Sequence, residues 1–269
     1  MELRTRALQA LQLVSPESKC EAVQALWAGH AQWTFETVTQ AAPDGLPGRP
    51  HNPRLIAPGE VPRRSPHTPA GRAALVHAIC HIEFNAINLA LDAVWRFDGM
   101  PDDFYRDWMR VAHEESLHFE MLHRELLSLG HRYGDFDAHD GLWEMCEKTA
   151  NDITARMALV PRTLEARGLD ATPLIQARLL KVGTPDALRI VKALDIILQE
   201  EIGHVEIGNR WYRWLCERQG LEPVAHYRLL VQRHRAPRLR PPFNTAAREA
   251  AGFSAQEIAF LVGDGLTTH

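Results

Sequence analysis

The chain has 269 residues, enough to form one large domain or two small ones around a substantial hydrophobic core. Its 45% hydrophobic and 24% charged residues are ordinary values for a globular protein. A formal net charge of −4 argues against a general nucleic-acid-binding surface.

The cysteines and the N-terminus indicate the compartment. The four cysteines show no Cys-x-x-Cys spacing, so we expect mostly buried thiols rather than a zinc site or a disulfide framework. These residues are Cys20, Cys80, Cys146 and Cys216. The N-terminus has no basic-then-apolar signal segment, and no apolar run approaches the roughly 18 residues of a membrane span. We therefore expect a soluble cytoplasmic protein without a membrane partner.

Two short helices are predicted first, over 2–14 and 17–40, the second opened by the start signal Ser15-Pro16-Glu17-Ser18. The stretch 41–70 then contains eight prolines, which exclude a regular element. A loop of this length in a compact domain is usually functional or an extended strap. We predict a strap that packs on the protein through apolar anchors at Leu55, Ile56 and Val61.

The next two segments predict helices that carry polar groups on their apolar faces. In 73–97 apolar residues recur at helical spacing, with Glu83 as the only acid among Val76, Ile79, Glu83, Ile87, Ala90, Val94 and Phe97. In 102–129 Glu115 and His118 take positions where leucine would be expected. That series is Phe104, Trp108, Val111, Glu115, His118, Leu122, Leu126 and Leu129. A buried charge costs several kcal/mol unless something pairs with it, so these positions need compensation.

The connection between these helices brings the two acids to the same height. Glu83 and Glu115 are 32 residues apart, and the midpoint Gly99 lies in the turn signal Asp98-Gly-Met-Pro101. Two antiparallel helices joined at this turn would therefore place both carboxylates side by side.

A second pair repeats the pattern in 186–218, where Glu201 and His204 interrupt an apolar series. That series is Leu188, Val191, Leu194, Leu198, Glu201, His204, Gly208, Trp211 and Leu215. Residues three apart share a helix face, so each Glu-x-x-His pair can offer a carboxylate and an imidazole to one metal ion. Two such pairs on core-facing positions therefore predict a pair of metal ions.

The partner acid of the second pair is expected on 141–167, a predicted helix with a kink at Pro161 and a stop at Gly168. Glu165 is the first choice, with an exposed acid near a helix end as the simpler interpretation. It is 36 residues from Glu201, with the midpoint at Gly183, so the heights match if 172–182 continues the helix direction. The alternatives left open are Asp152 and Glu147.

Neighbouring motifs lie off these faces. The pair Glu120 and His123 has the same spacing, but it starts about 140° further round the helix than Glu115, and we interpret it as a solvated surface pair. His77 and His81 share a face away from Glu83, where we expect structural hydrogen bonds.

The C-terminal part predicts a helix over 222–234, a basic proline-rich connector over 235–243, and one or two short helices over 245–262. A cluster of basic residues spans the end of this helix and the connector. It lacks interleaved aromatic residues, so we favour a solvated surface patch over a phosphate-binding site. Its charged residues are Arg233, His234, Arg235, Arg238 and Arg240.

One Glu on each of two helices and a Glu-x-x-His on each of two others is the arrangement of ferritin-like dinuclear carboxylate proteins. Over roughly 70–255 the chain resembles an uncharacterised bacterial ferritin-like family, distantly related to the MiaE-type tRNA hydroxylases, which are non-haem di-iron monooxygenases. The resemblance is carried by HIEFNAINLALDAVWRF, EESLHFEML, YGDFDAHDGLWEM, RMALVPRTLEARGLD and EEIGHVEIGNRWYRWL.

The resemblance implies an all-α fold in a single domain over 1–269. Its parts would be N-terminal helices (1–40), a proline-rich strap (41–70), a ferritin-like four-helix bundle with a dinuclear metal centre (71–218) and a C-terminal helical extension (219–269). The metal ligands expected are Glu83, Glu115, His118, Glu165, Glu201 and His204.

Carboxylate and imidazole ligands favour two iron ions, with manganese or a mixed Mn/Fe pair as alternatives. The function expected is a dioxygen-dependent oxidase or monooxygenase with an external electron donor and a small-molecule or modified-nucleoside substrate. The alternatives are an iron-storage or ferroxidase protein, against which the strap and the C-terminal extension argue, and a non-catalytic interaction module with a structural metal. A site sealed from solvent would favour the interaction module, and a cavity lined by the strap would favour the enzyme.

Overall fold

The computed structural model describes residues 2–35 and 42–264, and the regular structure in these ranges is helical. The α-helices are α1 (Leu3–Leu11), α2 (Pro16–Ala28), α3 (Pro69–Arg96), α4 (Asp102–Ser128), α5 (Gly141–Lys148), α6 (Ile153–Leu159), α7 (Ala166–Val182), α8 (Pro185–Gln219), α9 (Pro223–Arg233), α10 (Thr245–Ala250) and α11 (Ala255–Asp264). A 3₁₀ turn covers His30–Gln32, and a π-helical segment covers Val160–Glu165. The prediction of an all-helical protein is confirmed.

The chain forms two compact units. The first comprises Met1–Trp143 and Val182–Ile190, and the second comprises Glu144–Lys181 and Val191–His269.

Four helices form the framework of the first unit. Helix α3 packs along α4 and against α1, and α2 packs against α4 and α1, so the four helices contact one another in a ring. The hydroxyl of Thr68 caps α3 by accepting a hydrogen bond from the Gly71 amide at 3.1 Å. The α3–α4 turn contains Gly99 in a left-handed conformation (φ 68°), as the turn signal predicted.

Helix α3 is the core helix of the first unit. By length and mean hydropathy it could cross a membrane, although polar residues interrupt it, so it contains no unbroken apolar run of that length. However, 72% of its most apolar stretch is buried inside the protein. Such burial is typical of a core helix in a soluble protein, because that surface is already removed from solvent.

The prediction of a helix over 17–40 was too long. Helix α2 starts as predicted, with Ser15 as its cap, but it ends at Ala28, and Gly29 follows. The buried indole of Trp33 donates a hydrogen bond to the Leu26 carbonyl at 3.1 Å, which turns the chain back on α2. Residues 36–40 of the predicted helix lie outside the described residues.

The proline-rich strap is irregular over 42–68, as predicted, but its anchors differ from those expected. Leu55 is 36% exposed, and Ile56 and Val61 are only half-buried. The buried residues of the strap are instead Pro47, Gly48 and Pro53. Apolar residue type alone was therefore a poor guide to the anchors.

Polar contacts hold the strap on the first unit. Arg49 and Arg54 form ion pairs of 2.6 and 2.7 Å with Asp140 and Asp137, respectively. The amide of Ile56 donates to the Ala138 carbonyl at 2.9 Å, in a short parallel bridge. The strap is thus fixed mainly by backbone and charged groups, which no apolar pattern reveals.

The buried ammonium of Lys19 adds a further tie on the strap. It donates hydrogen bonds to the carbonyls of Gly48 at 2.7 Å and Leu11 at 3.1 Å, and to the Asn88 amide oxygen. Burial lowers its pKa to about 7. Three oxygen acceptors thus surround a side chain that would be costly to bury alone.

The second unit departs from the predicted single helix over 141–167. Helix α5 ends at Lys148, and Asp152 caps a new helix by accepting from the Ala155 amide at 2.9 Å. Buried Arg156 donates to the Thr149 hydroxyl and the Cys146 carbonyl across this break. A π-helical segment follows at the predicted kink, and it begins at Val160, immediately before Pro161.

The predicted stop at Gly168 was wrong, because α7 runs through it to Val182. Ala166 and Leu169 lie in a buried cluster with Val205, which outweighs the roughly 1 kcal/mol cost of a glycine within a helix. Within the second unit, the Gln176 amide donates to Asp195 on α8 at 2.6 Å.

Helices α9, α10 and α11 confirm the predicted C-terminal elements. The apolar series on α8 is buried at Leu194, Trp211 and Leu215, but Leu188 is 40% exposed, contrary to its assignment to the core face. All four cysteines lie in the described residues and are buried thiols outside any disulfide, as expected.

Candidate metal centre

The first unit brings Glu83 of α3 together with Glu115 and His118 of α4. Their side chains are 3%, 0% and 1% exposed, respectively. Nδ1 of His118 lies 3.2 Å from the Glu115 carboxylate and 3.7 Å from the Glu83 carboxylate. One ligand atom of each residue lies within 4.8 Å of the others, so a single cation could contact all three. The predicted height match of Glu83 and Glu115 is confirmed.

This first triplet (Glu83, Glu115 and His118) has an electrostatic cost in the metal-free protein. Burial and the neighbouring Glu115 charge raise the pKa of Glu83 to about 8, although His118 opposes the rise. Within the described residues, Oε2 of Glu83 is buried without a hydrogen-bond donor. A divalent cation would place positive charge beside both buried carboxylates, so the donor set fits a metal ion.

The second unit contains the other three predicted ligands, the second triplet (Glu165, Glu201 and His204). Their exposed fractions are 7%, 9% and 0%. Nδ1 of His204 lies 3.8 Å from the Glu201 carboxylate on the same face of α8. Oε2 of Glu201 is buried and receives no hydrogen bond in the described part of the chain. This unit therefore repeats the buried Glu-x-x-His arrangement.

Glu165 is the last residue of the π-helical segment. The segment packs closely on α8, because a Cβ at Gly208 would lie 2.6 Å from the Pro161 ring. Wider helical turns of this kind occur frequently at functional sites. The alternative ligands are less suitable, since Asp152 caps α6 and Glu147 is exposed. Glu165 is the buried acid among the three.

The off-face pair Glu120 and His123 differs from the candidate ligands, although it is less exposed than predicted. Both residues are half-buried. The Glu120 carboxylate accepts a hydrogen bond from the Gln24 amide at 3.0 Å, and the His123 ring packs on Phe119. The pair thus faces away from the first triplet and serves as a natural control with the same sequence spacing.

Tyr133 organises the remaining histidines of α3, a role that sequence patterns did not indicate. Its hydroxyl lies 2.8 Å from Nδ1 of His81, and His77 stacks on its ring. Nε2 of His77 accepts a hydrogen bond from the Gly134 amide at 2.9 Å. Burial lowers the pKa of His77 to about 4 and that of His81 to about 3, so both rings are neutral at neutral pH. The predicted structural hydrogen bonding is confirmed.

The strap lines a cavity against α3, but it is very small. The cavity measures about 10 Å³ and is bordered by Arg49, Pro53, His81 and Asn85 among others. This space suffices for about one water molecule. His81 and Asn85 lie two residues either side of Glu83 and point about 160° away from it around the helix, so the cavity does not open beside the first triplet.

Comparisons with known proteins identify the family of this chain. The family model described as "Protein of unknown function (DUF455)" matches residues 12–259. An uncharacterised protein of Haemophilus influenzae is 45% identical over 264 residues, which cover 94% of this chain and 91% of the relative. No solved structure matches the chain. The chain therefore belongs to the family described as Protein of unknown function (DUF455).

Proposed function

We propose that this protein is a ferritin-like dinuclear carboxylate protein that acts as a dioxygen-dependent oxidase or monooxygenase. The observation that carries the proposal is the first triplet, in which two carboxylates and an imidazole converge in the protein interior. Buried carboxylates are costly unless they are paired or bind a metal ion, and a metal ion would account for two that converge in the interior.

Glu83, Glu115 and His118 would hold one ion, and Glu165, Glu201 and His204 would hold the other. Four carboxylates would balance the charge of two divalent cations, and the mixed oxygen and nitrogen ligands suit iron or manganese. When bound, such a pair of ions supplies two-electron chemistry with dioxygen. The side chains of the chain itself orient these ligands, and their burial limits access of water.

A substrate and an electron donor belong to this proposal by resemblance rather than by geometry. Reduction of dioxygen requires electrons from outside the chain. A small molecule or a modified nucleoside is the substrate class that the resemblance implies.

One observation favours a second candidate, a helical interaction module with a structural metal. The cavity beneath the strap has room for about one water molecule, and it does not open beside the first triplet. A sealed metal site would stabilise the fold without admitting a substrate.

Metal content tests the proposal. Protein produced with ample iron and loaded with ferrous iron without oxygen should contain about two metal ions per chain by elemental analysis. A Glu115→Ala/Glu201→Ala variant should lose them. The matched control is Glu120→Ala/His123→Ala, which alters a Glu-x-x-His pair of the same helix, half-buried rather than core-facing, and should retain them. Wild-type protein that binds no transition metal after loading would refute the proposal.

Dioxygen consumption separates the two candidates. The iron-loaded, reduced protein should consume dioxygen faster than free ferrous iron, and the Glu115→Ala/Glu201→Ala variant should not. A protein that retains two ions but does not react with dioxygen would favour the structural-metal candidate.

A further inference from the structure

The π-helical segment of the second unit packs against α8 and against the C-terminal extension. Pro161 packs on Gly208 of α8, as described above. The hydroxyl of Thr163 lies 2.9 Å from the Tyr227 hydroxyl on α9 and donates to the Ala158 carbonyl at 2.7 Å. Arg162, between Pro161 and Thr163 in the sequence, makes the most extensive contacts. The segment thus has fixed neighbours over the turn that leads to Glu165.

Arg162 is a buried cation with a fitted environment. Its side chain is only 3% exposed, and its guanidinium donates to Glu257 of α11 at 2.7 Å and to Asn209 of α8 at 3.0 Å. It lies about 5 Å from each of three aromatic ring centroids. These rings belong to Tyr212, Tyr227 and Phe253. A cation so enclosed has few alternative positions.

Its partner Glu257 is equally fixed, because it belongs to a capping box at the start of α11. One carboxylate oxygen accepts from the Ser254 amide at 2.7 Å, and the Ser254 hydroxyl accepts from the Glu257 amide at 3.2 Å. The other carboxylate oxygen binds Arg162. The Arg162 charge also helps to hold the pKa of Glu257 below its usual value, although burial acts in the opposite direction. One acid therefore joins the start of α11 to the π-helical segment.

We propose that Arg162 is a positioning residue through which α11 holds the π-helical segment, and with it the Glu165 carboxylate, in place for metal binding. The inference rests on the proposed function, since Glu165 is a ligand only if the protein binds metal. The metal concerned is the one assigned to the second triplet. The contacts join residues 95 positions apart in the chain, so α11 can act on this site although it supplies no ligand.

A second buried ion pair in the same unit provides a matched control. Arg248 of α10 is 0% exposed, pairs with Asp170 of α7 at 2.6 Å, and lies 5.1 Å from the Phe253 ring. It also ties the C-terminal extension to an earlier helix. Arg248 also donates to the Ala166 carbonyl at 3.2 Å, a hydrogen bond that removal of the Asp170 charge leaves in place. Asp170 itself lies beyond the π-helical segment, so its loss should destabilise the unit without displacing Glu165 specifically.

The experiment compares Glu257→Gln with Asp170→Asn in the full-length protein. Glutamine can replace glutamate in a capping box, so the first change removes the charge and leaves the cap. Binding of ferrous iron is measured by equilibrium dialysis without oxygen. Backbone hydrogen exchange over 160–166 is measured without metal. We expect Glu257→Gln to weaken one of the two iron sites by about 10- to 100-fold, the range for residues that orient ligands. The same variant should exchange faster over 160–166, whereas Asp170→Asn should leave both quantities near their wild-type values.

Arg162→Lys is the second variant, in case Glu257→Gln fails to fold. It keeps the positive charge but cannot reach Asn209 and Glu257 in the same planar geometry, so it should weaken the same iron site. Two unchanged iron sites in both variants would overturn the inference while leaving the proposed function intact. Equal weakening by Asp170→Asn would also overturn it, because the effect would then be general destabilisation. A wild-type protein without iron sites would refute the proposed function and this inference together.

Discussion

The two ligand triplets have the same motif spacing but are built on different kinds of helix. The first triplet lies on α3 and α4, two long helices without internal breaks, which pack side by side within the first unit. In the second triplet, Glu201 and His204 lie on regular α8, but Glu165 ends a π-helical segment that contains Pro161. Identical spacing on one face is therefore only part of what defines a site. The position of the partner acid also depends on whether its own helix is regular or π-helical.

This difference explains why one partner acid was clear from sequence and the other was not. Regular helices keep 3.6 residues per turn, so counting from a known turn gave the height of Glu83 opposite Glu115. A π-helical turn inserts an extra residue and shifts every later position on the face. Counting residues along 141–167 therefore could not exclude Asp152 or Glu147, and burial of the Glu165 side chain was needed to distinguish the three acids.

The largest expected effect is loss of metal binding when either imidazole is removed. His118→Ala and His204→Ala should each weaken metal binding by at least about 100-fold, since even residues that only orient ligands change affinity by about 10- to 100-fold. His123→Ala is the control on α4. Ferrous iron binding by dialysis measures all three. Equal affinities in His118→Ala and His123→Ala would show that the core-facing position has no special role.

The next effect is a pH dependence that arises from the first triplet. Glu83 has an ordinary pKa of 4.5, and the folded, metal-free protein raises it to about 8. Between these pH values the folded chain keeps a proton that the unfolded chain has released. The free energy of unfolding of the metal-free protein should therefore fall as pH rises from 4.5 to about 8, by an amount on the order of a few kcal/mol.

Glu83→Gln removes this contribution and should be more stable than wild type at pH 8 when metal is absent. Urea unfolding at pH 5 and pH 8 in the presence of a chelator measures the change. If wild type and variant differ in free energy of unfolding by the same amount at pH 5 and at pH 8, the raised pKa of Glu83 is contradicted. Saturating metal should reverse the trend, because the ion binds the deprotonated carboxylate.

A smaller effect tests how tightly α8 holds the π-helical segment. Gly208→Ala places a methyl group 2.6 Å from the Pro161 ring, and overpacking of this kind costs about 1–3 kcal/mol. Gly203→Ala is the matched control on the same helix, where an added Cβ has nothing within 4 Å. It should stabilise the protein by up to about 1 kcal/mol through helix propensity. Thermal unfolding compares the two, and equal effects would show that the close contact has no energetic role.

The smallest effect concerns the half-buried pair. Glu120→Ala removes one hydrogen bond from Gln24 and should cost only about 1 kcal/mol of stability. Its metal content should equal that of wild type by elemental analysis. A loss of metal in this variant would show that Glu120 contributes to metal binding, contrary to its half-buried position away from the core-facing side of α4.

Other regions show what sequence periodicity could and could not predict. It predicted α3 and α4 of the first unit, because their apolar faces are long, but it extended α2 beyond its end at Ala28. It failed for the strap, where Arg49 and Arg54 provide ion pairs and Leu55 stays exposed. It also failed at Gly168, where packing of α7 outweighs the local signal to end the helix. The Arg162–Glu257 contact joins distant parts of the chain, so no local pattern could reveal it.

The most direct test of the central claim is a crystal structure of the iron-loaded protein with anomalous diffraction at the iron edge. We expect two anomalous peaks. One should contact Glu83, Glu115 and His118, and the other should contact Glu165, Glu201 and His204. Crystals without an iron peak at the first triplet, or with iron bound only elsewhere on the chain, would contradict it.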